Sequence, residues 1–324
     1  MLETFFHNLK GLYYTFIPAN AKDFAAKIKE LKDDARWELK KRLEYYCDLP
    51  ENFTLPKHAQ TKIQMLKKSS RYCYDFWEVM RYLDSRLCYH LESGDVNYQT
   101  PVASFCKSRP ISPRPTQNIL LKLDKKRHFG ILQHNAKKLH TIPYSQKLDQ
   151  IFFRGGCYQP HRKKFMRKFF HHPLINAGHT GSLKEEEYLH WHKGRANLAT
   201  HLQYKFILSL EGNDVATNLK WILHSNSLAL MPKPKFETWF MEGQLQAGVH
   251  YAEISEDYED LESVVEYYLA HPHHAKEIIH NANTYTQQFL DEEKERFLGI
   301  LVLRKFFYQS NQISVAKEEK ELYE

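Results

Sequence analysis

Residues 204–210 read Tyr204-Lys205-Phe206-Ile207-Leu208-Ser209-Leu210, and Glu211-Gly212-Asn213-Asp214-Val215-Ala216-Thr217-Asn218-Leu219-Lys220-Trp221 follow directly. The apolar run Phe206 to Leu210 has the length of a buried strand. A polar loop holding Gly212 comes next, then a helical pattern from Val215 to His224, then a second apolar run from Ser227 to Met231. Strand, helix and strand in this order form a βαβ unit, which lays its strands parallel in one sheet. The alternation continues on both sides. Gln150 to Arg154 is an expected strand entering Gly155-Gly156, with a helix from about Arg162 to Phe170; Val249 to Ile254 is another strand, and helices are expected over Tyr258–Ala270 and Ala275–Phe289. The fold class is α/β.

Away from this centre the texture changes. Phe24, Ile28, Leu31, Ala35 and Leu39 recur at helical spacing among charged residues, and a second helical stretch is expected from about Lys57 to His90. Its stripe of Tyr72, Phe76, Val79, Met80 and Leu83 suits core packing. Short strands and loops follow: a strand over Pro101 to Phe105, a proline-rich loop with Pro113 and Pro115, and an apolar segment from Ile119. A last helix over Glu292–Tyr308 is apolar at Phe297, Ile300, Leu301, Leu303 and Phe307, and the charged residues Ser314 to Glu324 read as a frayed tail.

The 324 residues suit two domains. Hydrophobic residues at 42% and charged residues at 26% exclude a disordered chain, a collagen or a membrane bundle. The net charge of +7 fits a phosphorylated ligand or an anionic membrane surface and is too small to demand nucleic acid. Cys47, Cys73, Cys88, Cys106 and Cys157 are scattered, with no CxxC pair, which disfavours a zinc site or a secreted disulfide framework. The opening residues carry Glu3 and no signal-like apolar run, and no window reaches a membrane-spanning length of about 18 apolar residues. A cytoplasmic protein is expected, with peripheral contact to the inner face of the membrane.

The chain lacks GxGxxG, Walker, GxSxG and HExxH motifs, and it has no DxD pair for a metal–nucleotide site. Three segments carry candidate chemistry. Phe152-Phe153-Arg154-Gly155-Gly156 with Arg162 is a strand, a glycine turn and a basic helix start, a place where backbone N–H groups and arginines hold an anion; the same residues also make an ordinary tight turn. Asn213 and Asp214 lie where a ligand meets the end of a strand in an open α/β sheet, and either also suits a helix N-cap. Glu237 and Glu242 flank the aromatic run around Trp239 and Phe240, where a carboxylate can hold ribose hydroxyls or simply be solvated.

Phe152–Arg162, Tyr204–Trp221, Ser225–Glu242 and Val249-His250-Tyr251 together resemble glycosyltransferase family 90, over about Glu92 to Phe307, and most closely its bacterial lipopolysaccharide core branch. The resemblance implies a GT-B fold of two Rossmann-like domains facing a cleft. It implies residues 1–148 as an acceptor-side domain with a helical extension and 149–290 as a UDP-sugar-binding domain. A C-terminal helix, 291–311, returns to the first domain, ahead of a tail at 312–324. The implied activity is an inverting transfer of a hexose from a UDP-sugar to a hydroxyl of a lipopolysaccharide or lipooligosaccharide core, with UDP-sugar as donor substrate, no cofactor and no metal. Asp95 matches the family's general base, which takes the acceptor proton during attack. Asn218 stands where animal members carry an arginine, which leaves the diphosphate to Arg154, Arg162 and Lys205, with Gly155, Asn213, Asp214, Asn218, Lys220 and Glu237 around the donor and Lys107 and Arg109 facing the cleft. The alternatives are a non-catalytic sugar-nucleotide-binding module and a transferase acting on a capsule or protein acceptor.

Two tempting clusters weigh less. His171-His172, His190 with His192, and His271 with His273-His274 read as solvated or capping residues, since no cysteine joins them at ligand spacing. Arg162, Lys163, Lys164, Arg167 and Lys168 form a basic helix face that would attract a phosphorylated lipid acceptor or be plainly solvated.

Overall fold

The computed structural model describes residues 11, 13–14, 17, 19, 24–50, 53–55, 59 and 70–324. In chain order these form α1 (Phe24–Lys29), α2 (Asp33–Tyr46), α3 (Arg71–Met80), β1 (Ser104–Cys106), β2 (Ser108–Pro110), β3 (Asn118–Leu120), β4 (Leu148–Gly155), α4 (Pro160–Phe169), β5 (Ile175–His179), β6 (Tyr204–Leu208), α5 (Leu219–Leu223), β7 (Leu228–Met231), β8 (Phe236–Thr238), β9 (Ala252–Glu253), α6 (Leu261–Ala270), α7 (Pro272–Gln287), α8 (Glu292–Gln309) and α9 (Lys317–Tyr323), with shorter helical turns between them. The chain divides into two compact units. One holds residues up to Lys125 with Phe236–Trp239 and Asp291–Glu324, and the other holds Lys126–Lys235 and Phe240–Leu290.

The second unit contains a five-stranded sheet in the order β5-β4-β6-β7-β9, parallel throughout. Parallel strands are covered on both faces and read as continuous apolar runs, as β7 does with all four residues buried. The crossover helix α4 supplies Phe165, Met166 and Phe169 to a core that includes Phe153, Leu208, Leu230 and Ile278. Helix α5 starts only at Leu219, not at Val215, so residues 211–218 form a longer strand-end loop than the periodicity suggested. The edge strand β5, with Gly178 in its run, escaped the sequence reading. The second unit takes in residues from Lys126 onward: Tyr144 enters its core, and Asn226 donates to the carbonyls of His140 and Ile142.

In the first unit, helix α8 is buried along nearly its whole length, including Leu298, Ile300, Leu301 and Phe306. Asp291 caps its start by accepting from the Glu293 and Lys294 amides at 3.0 Å. Helix α8 packs on α2 and α3. At Gly299 an added Cβ would meet Val79 at 3.1 Å, so glycine permits the close approach to α3. Strands are short here: β1 pairs with β3 in parallel, and β2 with β8 antiparallel. No larger sheet occurs among the described residues of this unit.

Two expectations change. The stretch expected to be helical to His90 ends at Met80, because the chain turns to lay Leu91 beside Phe105; residues 57–58 and 60–69 of that stretch lie outside the described residues. The supposed tail instead forms α9, held by an Arg304–Glu319 ion pair at 2.6 Å and by buried Leu322 and Tyr323.

Candidate functional site

In the second unit the carboxyl ends of β4 and β6 lie side by side, since Phe152 pairs with Ile207. Ligands of open parallel sheets sit at such strand ends. Strand β4 ends at Gly155 and turns through Gly156 into α4, which opens with Gln159 as N-cap and Pro160 in its first turn. The first backbone N–H groups of a helix have no partner inside it and favour an anion. Arg162 braces this corner. Its Nη1 donates to Gly156 O at 2.8 Å, its Nη2 to Leu210 O at 2.5 Å and its Nε to Glu211 O at 2.8 Å. His161 Nε2 meets the same Glu211 carbonyl at 2.9 Å, and burial holds the His161 imidazole below its ordinary pKa. The guanidinium expected to clamp a phosphate therefore ties the loop after β4 to the loop after β6.

The 211–218 loop is held by its own polar residues. Gln159 Nε2 donates to Asn213 Oδ1 at 3.1 Å, joining the loop to the start of α4. Asp214 is buried, and its carbonyl accepts the Gly212 amide at 2.8 Å. Asn218 accepts from Ser209 Oγ at 3.1 Å and donates to Leu208 O at 3.3 Å, stapling the foot of α5 to the end of β6. The fold thus brings Gly155, Arg162, Asn213, Asp214 and Asn218 to one end of the sheet.

Other expected donor residues lie elsewhere. Lys205 is the second residue of β6 and pairs with Asp149, the second residue of β4, at the amino ends of the strands. Arg154 turns along the sheet over the Phe152 ring, and its two Nη groups bond the carbonyl and side-chain oxygens of Asn176, each at 2.8 Å. Lys220 is fully buried in an ion pair with Glu242 at 2.7 Å, between the rings of Phe129 and Phe240.

The first unit holds the remaining candidates. Asp95 follows Gly94, whose φ of +109° suits glycine. The Val96 amide donates to Ser108 Oγ at 3.1 Å and Ser108 Oγ donates to Val96 O at 3.2 Å, clipping this loop to β2. Lys107 Nζ reaches Asp95 Oδ1 at 2.7 Å. The lysine side chain is 1% exposed and the aspartate 25%, so a partly exposed carboxylate is held by a buried cation.

Arg109 and Glu237, expected at the cleft and at the donor, face each other as cross-strand partners in the β2–β8 register. Arg109 Nε donates to Glu237 Oε1 at 2.7 Å, Nη1 to Asn118 O at 2.8 Å and Nη2 to Tyr45 O at 2.7 Å. Glu237 also accepts from the Tyr45 hydroxyl and from Arg114 Nη2. Each is held by several protein groups. The sequence reading did not find Tyr45, because its partner Glu237 lies 192 positions away along the chain. The strand-favouring Phe236, Thr238 and Trp239 were the available sign of a strand, although they could not name β2 as the mate.

The His171 and His190 Nε2 atoms lie 3.1 Å apart, and His271 stacks on Tyr267. Among the described residues no group of three or more His, Cys, Asp or Glu is placed to hold a metal ion. The basic face of α4 is met by acids: Lys163 by Glu185, Arg167 by Glu187 and Lys168 by Glu259, at 2.7 to 2.8 Å. No helix of the described residues is long and apolar enough to cross a membrane.

Residues 121–296 match the sequence profile described as Glycosyl transferase family 90. A protein of Dichelobacter nodosus named O-glucosyltransferase LpsA is 38% identical over 293 residues, which cover 89% of each chain.

Proposed function

The chain belongs to glycosyltransferase family 90, and on that premise we propose that it transfers a hexose, glucose first among the candidates, from a UDP-sugar to a hydroxyl of a lipopolysaccharide core. The observation that carries this reading is the 38% identity to O-glucosyltransferase LpsA across 89% of both chains. The architecture we propose is of GT-B kind, with the parallel sheet of the second unit taking the donor and the first unit supplying the base.

In the proposed step the acceptor oxygen bonds to the anomeric carbon on the face opposite UDP. The bond from that carbon to the diphosphate oxygen breaks, and its electron pair leaves with UDP. The acceptor proton passes to the Asp95 carboxylate. The orientation of Asp95 by Lys107 supports this role, since a base must be held within hydrogen-bond reach of the proton it takes. Backbone N–H groups at the start of α4 receive the diphosphate, a placement supported by the His161 and Arg162 amides, which lie in the first turn and have no acceptor inside the helix. Arg162 acts as a positioning residue that fixes this corner.

The test is UDP release in the presence of a sugar nucleotide and a truncated core, comparing UDP-glucose, UDP-galactose and their N-acetyl forms. UDP release that requires both substrates and persists in EDTA is expected. UDP binding without turnover on any acceptor would overturn the transferase reading, and full loss in EDTA with rescue by Mn²⁺ would overturn the metal-free step.

A further inference from the structure

The first unit carries a surface groove of about 400 Å³. That volume lies in the range of small-molecule sites, roughly 300–1,000 Å³. Buried Leu49, Thr100 and Thr116 line it together with Gln99, Ser112 and Gln117. Pro113 and Pro115 add rigid apolar surface.

The polar groups of the groove are wired in place. Gln99 Nε2 donates to Ser112 Oγ at 2.6 Å, and Thr116 Oγ1 donates to Gln99 Oε1 at 2.6 Å. The Thr100 amide and hydroxyl both donate to Asn118 Oδ1, at 2.9 and 3.0 Å. None of the described residues lining the groove is charged. The one charged residue in the proline stretch, Arg114, turns to Glu237 and lies over the Tyr45 ring at 3.9 Å. Amides and hydroxyls beside proline C–H faces match a neutral pyranose, which offers hydroxyls at its rim and an apolar ring face. A phosphate would find no cation there.

The groove also lies near the carboxylate assigned as base. Gln99 follows Asp95 by four residues, so their Cα atoms are at most about 14 Å apart. The intervening loop is pinned at both ends, by Val96 to Ser108 and by the Tyr98 carbonyl to Asn118 Nδ2 at 3.1 Å. A short oligosaccharide spans that distance.

We propose that this groove is an acceptor subsite, holding a neutral sugar residue of the acceptor saccharide while a neighbouring residue presents its hydroxyl to Asp95. The proposal rests on the transferase reading above. Gln117 is exposed at the groove and suits the test: Gln117→Trp fills the space and Gln117→Ala trims it, with the melting midpoint reporting that each variant folds. The probe is a dephosphorylated core oligosaccharide, titrated by calorimetry without donor. Gln117→Trp is expected to weaken its Kd by about tenfold, which corresponds to about 1.4 kcal/mol, and Gln117→Ala to weaken it less. Steady-state transfer should show the same rise in acceptor KM with donor KM moving far less. Unchanged Kd and acceptor KM in folded variants would overturn the subsite and leave the transferase reading standing. Binding that is lost in Gln117→Trp, with no transfer from any donor, would keep the groove and remove the transferase reading. Much tighter binding of the phosphorylated oligosaccharide, also lost in Gln117→Trp, would overturn the neutral-ligand assignment.

Discussion

The two units handle buried charge in different ways. In the first, cations meet carboxylates drawn from remote parts of the chain: Arg42 with Glu295 at 2.6 Å, and Arg109 with Glu237 at 2.7 Å. Trp239 Nε1 joins the first pair by donating to Glu295. In the second, the buried pair Lys220–Glu242 joins residues only 22 positions apart, and Arg162 and Arg154 spend their donors mainly on backbone carbonyls of strand ends and a neighbouring strand. The physical consequence differs too. A buried ion pair closes distant segments, and removing one partner leaves the other charge uncompensated. An arginine on carbonyls shapes loops locally and demands no acidic mate. Asp95 with Lys107 stands between these cases, since its cation is buried but its carboxylate is partly exposed.

The largest effect is expected at Asp95. Asp95→Asn keeps the shape and removes the basicity, so turnover should fall by about 10²–10⁴, while UDP-sugar affinity read by calorimetry stays close to the parent. Unimpaired turnover would end the assignment. Next comes Glu295→Gln, which leaves Arg42 buried without its countercharge. Denaturant unfolding should show a loss of about 3–5 kcal/mol; a loss below 1 kcal/mol would mean that this pair behaves as a surface pair does.

Arg162→Lys sharpens the contrast within the second unit. A lysine cannot reach three carbonyls with a planar fork, so two charge-assisted hydrogen bonds go, at about 1.5–3 kcal/mol each before relaxation. The net loss should be about 2–4 kcal/mol, with donor KM rising as the corner loosens. Donor KM unchanged in a destabilised variant would assign Arg162 to the scaffold alone.

The smallest effect is a pH dependence in the first unit. Burial raises the Asp75 carboxyl from 3.8 to about 7, against the opposing pull of Lys125. The folded protein therefore holds this proton more tightly than the unfolded chain. Stability from this group is full below 3.8, falls as pH rises toward about 7, and is level above that. Asp75→Asn can still accept the Lys125 amide bonded at 2.8 Å, without the titration. Its stability relative to the parent should grow by about 1–3 kcal/mol between pH 5 and pH 8, measured as melting at each pH. A constant difference across that range would refute the shift.

Much of the second unit was legible along the chain. The strands over 204–208 and 228–231, the helix over 160–169 and the glycine turn between β4 and α4 all carry local signals, namely apolar runs, helical spacing and glycines. The loop over 211–218 was misjudged because Val215 and Ala216 are buried by tertiary packing, which imitates the apolar beginning of a helix. Arg162 was found as a residue, but its acceptors are main-chain carbonyls, which no side-chain pattern advertises. In the first unit Asp95 and Lys107 were both named, yet their pairing and the Val96–Ser108 clip were not.

The sequence by itself determined the α/β class, the parallel order implied by βαβ units, the apolar helix after residue 291 and the family. These follow from local periodicity and from motifs held in order, which survive without coordinates. Only the tertiary structure decided which charges are spent. It sent Phe236–Trp239 out of the second unit to pair with β2, set Arg109 against Glu237 across 128 positions, and turned the charged end of the chain into a packed helix. The reason is physical: a buried charge must find its partner wherever the fold brings one near, and that distance in space has no period along the chain.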